Sequence, residues 1–234
     1  MVSYDWPLTA QPQEILVRLR RIAAQLGTTA LPVMALAHGK KKARATDLFK
    51  IEDFSTIQSI GTAGTQVSSG ALADISYSDN KKLGMAVLCI AVRTNHAKTS
   101  VVVDMIHALH EANCIGYSIA FDAPLSEKAM YYAFGITYGE VKTHYDELCA
   151  DELGRFFFQR TRKNRSDRAY NRDKIRGIYP VNALNSLQKR VLCDEAGINE
   201  SRFEALDEDR HLLVLSDEDV SSLRERLVGS AFLI

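Results

Sequence analysis

The chain has 234 residues, 46% hydrophobic and 25% charged, with 29 Lys and Arg against 29 Asp and Glu. That length can bury a full core, as one large domain or as one domain with a sizeable appendage, and zero net charge gives no bulk attraction to nucleic acid or to a membrane. Cys89, Cys114, Cys149 and Cys193 form no C-x-x-C pair, which argues against a zinc ribbon, a disulfide framework or a thioredoxin-type centre. Reduced thiols, no apolar run of about 18 residues and no signal-peptide layout at Met1–Pro12 set the expectation of a cytoplasmic protein without a membrane partner.

Met1–Gln11 reads as an extended arm, because Trp6 precedes Pro7 and is pushed out of the helical region. From Pro12 the pattern is helical. Ile15, Leu16, Leu19, Ile22, Ala23 and Leu26 form one apolar stripe, and Gly27 is placed to end the helix. Leu31–Ala37 is a short apolar run, either strand or buried turn. Lys40, Lys41, Lys42 and Arg44 read as a solvated loop, with an anion or nucleic-acid contact as the alternative. Thr46–Ile60 predicts a helix with Leu48, Phe49, Ile51, Phe54 and Ile57 as its apolar members. Gly61–Gly70 is a loop, or an irregular strand around Val67.

Gly70–Tyr77 alternates as a half-buried strand, and Ser78–Gly84 carries turn chemistry. Met85–Val92 is continuously apolar and predicts a strand buried on both faces. Arg93–Lys98 is a polar turn, after which Thr99 or Ser100 caps a helix to about Asn113, burying Val102, Val103, Ile106 and Leu109. A strand at Ile115–Phe121, a turn with Pro124, a short helix at Glu127–Phe134 and a strand at Thr137–Tyr145 follow. Phe156–Phe158 is a further strand candidate. Residues 155–176 hold nine Lys and Arg against two Asp, whereas 194–225 hold eleven Asp and Glu against three Arg. The two stretches would balance each other if they met. Leu187–Leu206 resembles a helix-turn-helix, but Glu200, Glu204, Asp207, Glu208 and Asp209 on its second helix would repel phosphates, so a plain helical corner is expected. His211–Leu215 is a strand, and Ser216 caps a helix through Leu227.

The order strand, tight turn, buried strand, polar turn, helix, strand, short helix, strand from Gly70 to Tyr145 resembles the second half of the GNAT acyltransferase fold. Tyr131-x-x-x-Gly135-Ile136 is similar to that family's Y-x-x-x-G-F element. The family's acyl-CoA loop reads Q/R-x-x-G-x-G/A, and here the same place is His96-Ala97-Lys98-Thr99-Ser100-Val101, with no glycine. The resemblance implies an α/β (α+β) fold with a mixed sheet flanked by helices. It implies a GNAT-like core over 1–150 and a C-terminal α/β extension over 151–234, made of the basic segment 155–176, a helical corner at 183–206 and a strand and helix at 211–227. It also implies acyl transfer from acetyl-CoA or another acyl-CoA to an amine. In it Val92, His96, Ala97, Lys98, Thr99 and Ser100 would surround the cofactor, whose pyrophosphate would sit at the helix N-terminus.

By the same resemblance Tyr131 would protonate the departing thiolate, a role open to a phenol of pKa about 10; a packed aromatic is the alternative, and Tyr132 takes the role in a register shifted by one. Asp122 either orients the acceptor or caps the Pro124 turn. His96 could contact phosphate or act as a base, with a surface loop histidine as the alternative. His107 and His110 lack an acidic partner for a metal set, and Cys89 reads as an inert buried thiol. No general base stands out. Arg160, Arg162, Lys163, Arg165 and Arg168 are the candidate contacts to nucleic-acid phosphates, with a solvated or acid-paired loop as the bland reading. The competing function is a non-enzymatic nucleic-acid-binding or regulatory protein that uses this Arg-rich segment.

Overall fold

The computed structural model describes residues 2–5, 11–62, 72–80, 85–93, 99–111, 117–120, 175 and 177–227. They fall in two compact units, Met1–Gly116 and Tyr117–Ile234. The fold is α+β, and every strand pair inside each unit is antiparallel among the described residues. The expected boundary near residue 150 lies outside the described residues, as do the expected helix at Glu127–Phe134 and the strands at Thr137–Tyr145 and Phe156–Phe158.

In the first unit, helix α1 (Pro12–Gln25) begins on a proline, whose missing N–H costs nothing in the first turn. Its stripe buries Ile15, Leu16, Leu19, Ile22 and Ala23, and it stops at Gly27, as expected. Arg20 reaches off the stripe and donates to the carbonyls of Leu48, at 3.0 Å, and Ile51. Helix α2 (Thr99–His110) packs against α1. Glu111, just past its end, accepts from Arg18 at 3.2 Å and lies 3.7 Å from Arg21. On α2 it is Met105, Ile106, Ala108 and Leu109 that are buried; Val102 and Val103, expected inside, are half-exposed.

The strands are β1 (Val2–Asp5), β2 (Pro32–Ala37), β3 (Arg44–Asp47), β4 (Ile57–Thr62), β5 (Leu72–Asn80) and β6 (Met85–Val92), in spatial order β3-β2-β4-β5-β6-β1. Directly opposed residues share a face, so Ala35, Ile60, Tyr77 and Leu88 form one buried row across four strands. The Phe54 ring packs on Tyr77, with 5.0 Å between centroids. On the other face Gly61, Ser76 and Cys89 stand in line, and Asp74 accepts from Thr62 and, at 3.0 Å, from Ser76. Strand β6 is buried on both faces, since Leu88, Cys89 and Ile90 are all inside.

Two further sequence expectations fail in this unit. Thr46–Ile60 is not a helix: it holds the end of β3, two 3-10 turns (Leu48–Lys50 and Phe54–Thr56) and the start of β4. Asp47 accepts from the Phe49 N–H at 2.8 Å and Asp53 from the Ser55 N–H at 2.9 Å. These local side-chain bonds divert the backbone from a helical ladder. Likewise Ser78, Asp79 and Asn80 belong to β5 rather than to a turn, because Val87, Ala86 and Met85 pair with them. A partner strand outweighs their weak intrinsic strand preference.

The second unit contains β7 (Tyr117–Ala120), β8 (Val181–Asn185), α3 (Ser186–Ala196), β9 (Phe203–Ala205), β10 (Arg210–Val214) and α4 (Asp217–Leu227), with strand order β7-β8-β10-β9. All five residues of β8 are buried. Its Asn182 stays satisfied by bonding both backbone groups of Tyr179, accepting from N–H at 3.1 Å and donating to the carbonyl at 2.5 Å. Asn185 caps α3 reciprocally with Gln188: each side chain accepts the other's backbone N–H at 2.9 Å. Asn185→Ala is expected to cost about 1 kcal/mol, read as a fall in thermal midpoint, with Asn185→Ser recovering most of it.

Gly197 ends α3 at φ +66°, and the Ile198 N–H turns back to the Leu192 carbonyl at 3.2 Å. The helical turn predicted there is therefore present, but the second helix is not. Asn199 caps a single 3-10 turn at Glu200–Arg202, and the chain leaves as β9, pairing Phe203 with Leu213. The open edge of β10 satisfies backbone groups that a second helix would otherwise have to satisfy internally. Asp207 builds the β9–β10 connection by accepting from the N–H groups of Asp209 and Arg210, at 2.8 and 2.7 Å, and from the Arg210 Nε, at 2.8 Å. Burial pushes its pKa up, but these donors outweigh it and hold the carboxyl below its usual range. At α4, Ser216 and Asp219 exchange the expected capping bonds.

Candidate functional site

The expected acyl-CoA site begins where β6 runs out. Val92, its last residue, is half-buried and pairs with Leu72. Thr99 and Ser100 are the first two residues of α2 and are exposed. The start of a helix offers N–H groups without intrahelical partners, so the order strand, connection, helix N-terminus is present. His96, Ala97 and Lys98 lie outside the described residues, as do Asp122, Tyr131, Arg160, Arg162, Lys163, Arg165 and Arg168.

The side of β6 away from β5 is occupied. Val2, Ser3, Tyr4 and Asp5 of β1 pair with Cys89, Leu88, Val87 and Ala86. The N-terminal arm is thus a full strand of the sheet, and it fills an edge that a splayed strand pair would leave open for a pantetheine arm. Cys89, on the same strand, is 1% exposed, as an inert thiol would be.

One pairing went unnoticed in the sequence. Ser186, the first residue of α3, lies with its Oγ 3.2 Å from Nε2 of His211 on β10. His211 is 8% exposed. Burial lowers its pKa and the Lys189 ammonium lowers it further, against the carboxylates of Asp209, Asp207 and Glu200. A neutral imidazole beside a serine hydroxyl is the geometry of a general base, but no ion pair orients His211 among the described residues. Ser186 is also held by the Asp209 carbonyl, which accepts its N–H at 2.9 Å. The pair clamps the start of α3 to β10. The only sequence signal was a serine directly after a strand, with a histidine on a later one.

Because the folded imidazole resists protonation, the unfolded chain takes up that proton first, near pH 6.5. Stability is therefore expected to fall as pH drops through that value, levelling once the folded ring also protonates. Urea unfolding at pH 7.5 and pH 5.5 reads this directly, and His211→Gln should flatten the difference.

His38 and Asp79 stand 3.4 Å apart, and the second Asp79 oxygen is buried with no hydrogen-bond partner among the described residues. Burial and then Glu200 raise the Cys193 pKa, which keeps that thiol protonated and a poor nucleophile. No group of three or more His, Cys, Asp or Glu is arranged to hold a metal ion among the described residues. No helix there is long and apolar enough to cross a membrane.

No protein-family model matches the chain, and no curated protein matches it. A solved structure similar to it is the T6SS protein PA0821 of Pseudomonas aeruginosa, with a TM-score of 0.55 and 11% identity, covering 99% of this chain and 72% of that one. At that identity the likeness concerns the fold.

Proposed function

We propose that this chain is a non-enzymatic regulatory protein that acts by binding a macromolecular partner. The observation that carries this reading is the seating of β1 along β6, from Val2 opposite Cys89 to Asp5 opposite Ala86. A cofactor arm entering between β6 and a splayed neighbour would have to displace a hydrogen-bonded strand. Under this reading the Ser186–His211 pair serves to clamp α3 to β10, and the raised pKa of Cys193 keeps its thiol protonated. The Arg-rich segment 155–176 remains a candidate contact surface under this reading.

The second reading is transfer of an acyl group from acyl-CoA to an amine on a nucleic acid or protein. It is favoured by the β5–β6 strand pair and by the exposed first residues of α2, the next described helix in the chain. In it Tyr131 is the acid, and Tyr131→Phe should lower turnover while leaving CoA affinity nearly intact. A thermal melt with acetyl-CoA separates the two readings. A ligand at about a hundred times its Kd adds about 2.7 kcal/mol, a shift of several degrees. We expect no shift, and a clear one would replace the first reading by the second.

A further inference from the structure

We propose that the turn between β2 and β3 is a nucleic-acid contact in which Lys40, Lys41, Lys42 and Arg44 engage backbone phosphates. The inference rests on the binding reading above and gives that reading a surface and a partner class.

Residues 39–45 are all exposed. None of the four cations has an ion pair among the described residues. Arg44 has a structural explanation, because it lies on β3 at the edge of the sheet, where charge discourages edge-to-edge pairing. The three lysines do not share it. They precede β3, in a turn with no ladder groups to protect, and adjacent like charges repel without any return to the fold.

The turn is nevertheless held in place. The Lys40 N–H donates to the Ala37 carbonyl at 3.1 Å, and the His38 N–H donates to the Thr56 carbonyl at 3.0 Å. His38 also reaches across to Asp79 on β5. The cations are thus presented on a fixed base rather than on a loose tail, which reduces the ordering cost of binding.

The chemistry selects the partner. Lysine is a point-charge binder of phosphate and is depleted at protein–protein interfaces. Membrane-surface segments join their cations to several large apolar anchors, whereas the chain neighbours here are Gly39, Ala43 and Ala45, and Met34, opposite Ala45, is the one exposed large apolar side chain among the described residues of this hairpin. Only the turn projects, since β2 is paired on its other side with β4, so the contact it offers is to backbone phosphates rather than to base edges.

The test is fluorescence anisotropy of the full chain with a short labelled duplex, from about 50 to about 200 mM salt. Each phosphate contact contributes about −0.9 to the slope of log K against log salt. A variant with Lys40→Gln, Lys41→Gln, Lys42→Gln and Arg44→Gln should flatten the slope by roughly three to four, with its thermal midpoint unchanged. The control Arg21→Gln removes an exposed cation of α1 and should leave the slope as it is. A wild-type slope retained by the quadruple variant overturns the turn as the contact while the binding reading stands. Absence of duplex binding, or binding of anionic vesicles in its place, overturns the partner class. A melt shifted by acetyl-CoA would instead remove the reading on which the inference rests.

Discussion

Arg224→Ala is expected to destabilise the second unit by roughly 2–4 kcal/mol, one of the largest effects for a single substitution in this chain. Arg224 sits on α4 and is 5% exposed. Its Nε donates to the Ile178 carbonyl at 2.8 Å, and its guanidinium lies over the Tyr179 ring, 5.1 Å from the centroid. Truncation leaves that carbonyl unsatisfied, removes the cation from the ring and opens a cavity where the stem packed. Arg224→Lys keeps charge and stem but loses the planar fork and the Nε–H, so it should recover less than half. Urea denaturation of both variants checks this, and a loss below about 1 kcal/mol for the alanine variant would rule out an anchoring role. The same stack explains Gly177, where an added Cβ would lie 3.1 Å from the Tyr179 ring. Gly177→Ala should displace that ring, and its cost should not add to that of Arg224→Ala, because both act on one stack.

Leu19→Ala should cost about 2–5 kcal/mol. Leu19 is at the centre of the α1 stripe and 0% exposed, with Leu16 beside it at 0% and Ile22 at 1%, so the vacated volume has well-packed walls. Val17, on the opposite side of the same helix, is 53% exposed, and Val17→Ala should stay within about 0.5 kcal/mol. Similar midpoints for the two variants would mean that the stripe is not the buried face.

Where periodicity and end signals agreed, the sequence was a sound guide. The α1 stripe between Pro12 and Gly27, the continuous apolar run of β6 and the Ser216 cap of α4 are local patterns, and each appears where expected. The misreadings came from competition that no local window contains. Asp47 and Asp53 turned an apolar-periodic stretch into 3-10 turns. Met85–Val87 drew Ser78–Asn80 into a strand, and β10 drew Phe203–Ala205 out of a helix. The site followed the same division. The lysine turn was legible as a solvated loop because Lys40, Lys41 and Lys42 are consecutive. The seating of β1 on β6 and the approach of Ser186 to His211 depend on residues far apart in the chain.

The distant pairing of β1 also shapes how the chain is made. Val2–Asp5 leave the ribosome ahead of their partners Ala86–Cys89, which emerge more than eighty residues later. At about 5–20 residues per second, the arm waits for several seconds with its ladder groups unpaired. During that interval α1, β2, β3 and β4 can already assemble from nearby segments, so β1 docks as a late event that closes a long loop. Nascent chains halted before Met85 should therefore keep Val2–Asp5 open to protease, whereas chains released past Val92 should shield it.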